Sequence, residues 1–134
     1  MPFLWHPLVV HFPVALWLTS VVFDIQYART AERFYASASR WLIGLGLLTA
    51  AVSIVSGFID YRPLVAQGVG QAFIDQHRVH SLVAYGTTVL YGAMFLLRWR
   101  GRVMSRAAYL AMTLVGAGLI SVTGYLGAEI RRVM

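Results

Sequence analysis

Four long apolar stretches dominate this chain, and each approaches the length that an α-helix needs to cross a lipid bilayer. They cover residues 7–27, 41–59, 81–97 and 107–128. A membrane-spanning helix takes about 20 apolar residues. A single segment in lipid can form all of its backbone hydrogen bonds internally only as a helix. Because the four stretches use most of the 134 residues, the sequence predicts an all-α, antiparallel, up-down four-helix bundle. Residues 1–134 form a single membrane domain.

Composition excludes several kinds of chemistry. Only 12% of the residues are charged, against about a quarter in soluble domains. The chain contains no cysteine, which excludes disulfides, thiolate metal sites, iron–sulfur clusters and covalent haem attachment. No arrangement of serine, threonine and aspartate suggests a nucleophile with its base, so hydrolase chemistry has no support.

The arginines predict the orientation of the bundle. All eleven basic residues are arginine, and seven of them lie between spans one and two or between spans three and four: Arg29, Arg33, Arg40, Arg98, Arg100, Arg102 and Arg106. The positive-inside rule assigns these two segments to the cytoplasm, so both termini are expected on the outer side. Membrane topology explains the net charge of +6, and no nucleic-acid partner is expected.

The four histidines lie at the beginnings of two of the four apolar stretches. His6 and His11 stand at the start of the first, and His77 and His80 stand at the start of the third. In an antiparallel bundle these two starts lie at the same end, together with Asp60 and Glu129. Ionisable residues at membrane depth usually serve a function, so this end is the candidate site.

Helix geometry selects a pair of histidines as ligands. Pro13 cannot donate to the carbonyl of Val9, so the first helix should open locally beside His11. His11 and His80 each lie about one turn into their helices, at ~1.5 Å per residue. Two imidazoles facing each other across a bundle suit the axial ligation of a b-type haem. We therefore expect His11 and His80 as axial ligands, with His6 and His77 as second choices.

Two other interpretations remain open. Imidazole also binds copper, zinc and iron, and the ligands of such a non-haem site would come from His6, His11, His77, His80, Asp60 and Glu129. Alternatively, the polar residues hold helix ends together by hydrogen bonds, which would make the protein a structural accessory subunit. At the other end, Asp24 is expected to be structural and to pair with Arg29 or Arg98.

Two further features concern packing and capping. Small residues recur along spans two to four, where they either let helices approach closely or make room for a flat cofactor. The segment 62–76 is expected to form a short interfacial helix that covers the site. Asp75 is the expected N-cap of the third span.

Four segments resemble a known family. HPLVVHFPVAL at 6–16, GFIDY at 57–61, the histidine of RVHSLV at 80 and TGYLGAE at 123–129 are similar to domain-of-unknown-function family 2231, small four-span membrane proteins of bacteria. The resemblance covers essentially the whole chain. It implies the four-span fold, a multi-pass location in the bacterial inner membrane, and motif positions at His6, His11, Asp60, His80 and Glu129. Some relatives are fused to Rieske-type iron–sulfur domains, which implies membrane redox chemistry.

Together these observations predict a membrane redox protein with one haem b near the outer face. It would transfer electrons in or beside a respiratory complex rather than act as a catalyst on its own. The expected partners are the lipid bilayer and either a redox protein or a second copy of the chain.

Overall fold

The computed structural model describes residues 5–102 and 104–132, and these residues are all helical or in connections between helices. A short α1 (His6–Val9) precedes four long helices: α2 (His11–Thr30), α3 (Arg33–Ala66), α4 (Gln71–Trp99) and α5 (Arg106–Ile130). Four segments are long and apolar enough to cross a membrane, the first of them being α1 and α2 together. The predicted all-α, four-span architecture is confirmed, whereas the orientation of the termini stays a prediction.

The helices pack in a ring. Both α2 and α4 contact α3 and α5, so α2 lies diagonally opposite α4. The connections between successive long helices are short, as in up-down bundles. The histidines of the first and third spans therefore belong to opposite corners of the bundle, and a ligand between them would lie near its axis.

The first helix is interrupted where the sequence predicts it. Val10 separates α1 from α2, three residues before Pro13. The missing N–H of Pro13 leaves the carbonyl of Val9 without its helical donor. The interruption lets His6 lie on a short helix that packs separately against α3.

The centre of the bundle is built around Trp17. Its indole N–H donates to the carbonyl oxygen of Ile43 at 3.2 Å, and its ring stacks on Tyr91 with 4.1 Å between ring centres. A Cβ atom on Gly46 would overlap the indole nitrogen. The small residue at position 46 therefore makes room for a tryptophan, which joins α2, α3 and α4 in one contact.

The segment 62–76 differs from the expectation. It forms no separate interfacial helix, because α3 continues to Ala66 and α4 begins at Gln71. The N-cap of α4 is Gly70, and Asp75 lies within the helix, where it accepts a hydrogen bond from the Gln71 amide at 3.0 Å. With 34 residues, α3 is about 51 Å long, well beyond a hydrocarbon core of about 30 Å.

Candidate functional site

A cavity of about 420 Å³ opens among the helices at the end that carries the histidines, here called the histidine end. Its volume lies within the ~300–1,000 Å³ usual for small-molecule and cofactor sites. The walls come from all five helices and are mainly apolar, with Trp17 among them. The polar groups on the walls include His6, Asp60, His77 and His80.

His6 is held by α3 through both its backbone and its ring. The backbone N–H of His6 donates to Oδ2 of Asp60 at 2.7 Å, which satisfies a free donor at the start of α1. The ring Nδ1 lies 2.8 Å from the carbonyl oxygen of Ser53. A Cβ on Gly57 would come within 3.3 Å of that same nitrogen, so the ring fits because position 57 has no side chain.

His80 is held by α5 in the same manner. It is 6% exposed, and its Nδ1 lies 3.2 Å from the carbonyl oxygen of Thr123. A Cβ on Gly127 would come within 3.2 Å of the ring carbon Cε1. Each of the two histidines thus rests on a glycine of a neighbouring helix and hydrogen-bonds to a main-chain carbonyl.

These hydrogen bonds determine which ring nitrogen carries the proton. A carbonyl oxygen can only accept, so Nδ1 of both His6 and His80 donates. In the neutral ring Nε2 then carries a lone pair. Within the described residues neither Nε2 has a hydrogen-bond partner. Histidine ligands of metals almost always donate their other ring N–H in this way.

The structure brings these two rings together across the bundle. Their centres are 6.2 Å apart, and their planes are inclined by 77°. Imidazole nitrogens bind transition-metal ions at about 2.0–2.1 Å, so two rings on opposite sides of one ion have their centres on the order of 6 Å apart. The observed separation of the ring centres is close to that value.

The other predicted ligands are placed differently. His77 lines the cavity but stacks on Tyr61, with 4.1 Å between ring centres. His11 also lines the cavity, but its side chain is exposed on the bundle surface. Glu129 does not line the cavity and pairs with Arg132 at 3.0 Å. The ring nearest to His80 is therefore that of His6 rather than the expected His11, and the assignment of ligands stays a prediction.

A non-haem metal site of three or more protein ligands is not assembled in the part of the chain that the structure describes. Asp60, for example, is engaged by the backbone N–H of His6 at 2.7 Å. Of the four histidines on the cavity wall, His6 and His80 face each other, and two imidazoles suffice for a cofactor that brings its own further ligands.

Sequence reasoning missed the groups that position the two rings. The carbonyls of Ser53 and Thr123 carry no signal in the sequence, because every residue has one. Gly57 did carry a signal, since it belongs to the small-residue stripe of span two, whereas Gly127 occurs only within the family-like segment TGYLGAE. Their role is to seat histidine rings, which neither interpretation of the stripes included.

A second polar cluster lies at the opposite end of the bundle, here called the arginine end. Arg98 donates from its two terminal nitrogens to the two carboxylate oxygens of Asp24, both at 3.0 Å. The same carboxylate accepts from the Tyr109 hydroxyl at 2.6 Å and from the Thr113 hydroxyl at 2.8 Å. Asp24 is fully buried. The expected structural role of Asp24 fits this network, and Arg98 is its partner.

Comparison with known families agrees with the architecture. The family model for the predicted membrane proteins DUF2231 matches residues 4–133. The chain belongs to this family. Neither the comparison with curated proteins nor that with solved structures gave a match.

The geometry gives the family-like segments of this DUF2231 chain a physical role. HPLVVHFP contributes His6 and the proline-induced interruption after it. GFIDY contributes Gly57, which seats the His6 ring, and Asp60, which holds its backbone. TGYLGAE contributes the Thr123 carbonyl and Gly127, both of which contact His80. Three segments that are distant in sequence therefore meet around one pair of rings.

Proposed function

We propose that this protein holds one b-type haem between His6 and His80 and transfers electrons within the membrane. The observation that carries the proposal is that the two rings make the same hydrogen bond and lie close together. Each donates Nδ1–H to a main-chain carbonyl, and neither Nε2 has a hydrogen-bond partner among the residues that the structure describes. The two ring centres are 6.2 Å apart. Haem iron with two imidazole ligands exchanges single electrons.

The residues around the rings fit such a group. The cavity walls are mainly apolar, as a porphyrin requires, and Arg131 lies on the wall near the outer limit of α5. A guanidinium at this position is suited to pair with a propionate. In the neutral form of each ring, Nε2 carries the lone pair that a metal ion binds.

The cellular setting is part of the proposal. The arginine bias between spans one and two and between spans three and four favours a bacterial inner membrane with the histidine end outward. All four histidines lie at one end of the bundle and none at the other, which favours a single haem. We infer a role in electron transfer beside a respiratory or other redox partner, or between copies of the chain.

An optical spectrum of the purified protein, expressed with sufficient haem supply, tests the proposal. We expect a sharp Soret band and, after reduction, a distinct α-band, with about one haem per chain. Elemental analysis of the same sample separates the alternatives. Stoichiometric copper or zinc without haem would replace the proposal by a non-haem metal site, and the absence of both would leave a structural role.

A further inference from the structure

The cavity wall is exposed on the bundle surface at several residues, and three of these residues belong to α2 and α5. His11 of α2 and Gly124 and Ala128 of α5 line the cavity, and all three are exposed on the bundle surface. Because α2 and α5 are neighbours in the ring, these residues define a lateral opening between the two helices. Gly124 has nothing within 4 Å of the position its Cβ would take, so the opening is unobstructed there.

The surroundings of His11 are those of a lipid-facing residue. Leu8 and Phe12 are 57% and 59% exposed, as expected for side chains that contact acyl chains. No hydrogen bond within the described residues engages the ring of His11. A polar ring at this depth is costly without a partner, so a ligand that arrives through the lipid would satisfy it.

We propose that the lateral opening binds the head group of a lipid-soluble quinone or quinol, with His11 as its hydrogen-bond partner. Access from the lipid requires an apolar tail, and a neutral imidazole can donate to a ring carbonyl or accept from a ring hydroxyl. The choice of a redox-active ring rests on the proposed function, because the opening lies on the same cavity as His6 and His80.

Photolabelling of the protein, expressed with sufficient haem supply and placed in lipid nanodiscs, tests this site. The probe is an azidoquinone with a ten-carbon tail, and the labelled peptides are identified by mass spectrometry. We expect labelling in residues 6–16 and 120–130. An excess of decylubiquinone should prevent it, whereas decylbenzene, which has a similar tail but no ring oxygen, should not. Equal competition by decylbenzene would overturn the proposal, because it would mean an unspecific apolar crevice.

Two substitutions and a matched control locate the contact. H11F keeps an apolar ring and removes the hydrogen bond, so labelling should fall about fivefold to tenfold. G124L fills the opening and should lower labelling at least as much. G118L is the control, because Gly118 also lies exposed on α5 with open space around its Cβ position but does not line the cavity. Equal labelling of all variants would refute the site.

The haem spectrum of each sample separates the two proposals. A normal spectrum without specific quinone labelling would contradict the quinone site alone. Specific labelling in a protein that never contains haem would contradict the haem proposal and leave the quinone site supported. We expect H11F to keep the wild-type spectrum, because His11 is exposed on the bundle surface, and the control G118L to keep it as well, because Gly118 does not line the cavity.

Discussion

At the scale of single residues, the candidate site depends on two glycines, whose lack of a side chain leaves room for the histidine rings. The rings of His6 and His80 occupy space that a methyl group at Gly57 or Gly127 would enter, at 3.3 and 3.2 Å respectively. Both rings are also held by main-chain carbonyls, whose positions are fixed by α3 and α5. The two rings are therefore preorganised, which lowers the cost of binding a ligand between them.

G127A should disturb the His80 ring while leaving the fold in place. The added methyl group would lie 3.2 Å from the ring carbon Cε1, so the ring must move by a few tenths of an ångström although it is held by the Thr123 carbonyl, and overpacking of this kind destabilises a protein. We expect a lower thermal stability and a weaker or altered haem spectrum. G118A has open space around the new methyl group and should match or exceed wild-type stability, since alanine favours helix by ~1 kcal/mol over glycine. Equal behaviour of the two variants would contradict the described seating of His80.

The sequence predicted His11 and His80 as the facing pair, whereas in the structure the ring next to His80 is that of His6. Which pair binds a cofactor stays a prediction. His6 and His11 are five residues apart, so on a regular helix they point about 140° apart around the axis. Only one of them can face the bundle axis. Depth along the helix favoured His11 as the residue that faces His80. The direction in which each side chain points depends instead on packing against α3 and on the interruption at Val10, and it favours His6. Depth was readable from the sequence, but rotation was not.

At the scale of helices, two buried links hold the bundle at different levels. The stack of Trp17 on Tyr91 joins α2 to α4 across the centre. The ion pair of Asp24 with Arg98 joins the same two helices at the arginine end. Because α2 and α4 lie on a diagonal, these links set the distance across the bundle and support the separation between His6 and His80.

D24L should destabilise the bundle strongly, because it leaves the Arg98 guanidinium buried without its partner. Breaking one side of a buried ion pair costs about 3–5 kcal/mol. The double variant D24L/R98M removes both charges and should recover much of the loss in thermal melting in detergent. R132A, which removes the exposed pair with Glu129, should have no measurable effect. Equal melting of D24L and R132A would refute the structural importance of the buried pair.

The limits of sequence reasoning also appear in the helices. Apolar runs indicated all four spans, because lipid demands them. They did not indicate that α3 and α4 both extend into the segment 62–76, because these helix ends are stabilised by tertiary contacts. Tyr61, Phe73 and His77 stack against one another, which pairs the two helix ends beyond the apolar spans. The glycines and Pro63 in this segment suggested a separate element instead.

At the scale of the whole molecule, charge is distributed unequally between two ends. The histidine end has a cavity and few arginines, whereas the arginine end has a closed ion-pair network and most of the positive charge. The positive-inside rule predicts the orientation of the bundle from this unequal distribution of arginine. The same polarity would present the candidate haem and the lateral opening near the outer face of the membrane.

Topology reporters test this orientation. A phosphatase fused after the last residue should be active, since that enzyme requires the periplasm, and a fluorescent protein that matures only in the cytoplasm should be dark there. Fusions in the segment 98–106 should give the opposite pattern. A fluorescent carboxyl-terminal fusion would reverse the assigned orientation, although the two ends of the bundle would keep their composition.

The most direct test of the central claim compares the optical spectra of H6A, H80A and H11A with that of the wild type. If His6 and His80 are the two axial ligands, H6A and H80A lose the low-spin spectrum, because one imidazole is missing in each. External imidazole, which can enter the vacated space, should restore it in both. H11A should keep the wild-type spectrum. Loss of the spectrum in H11A with retention in H6A would contradict the account and return the ligand role to His11.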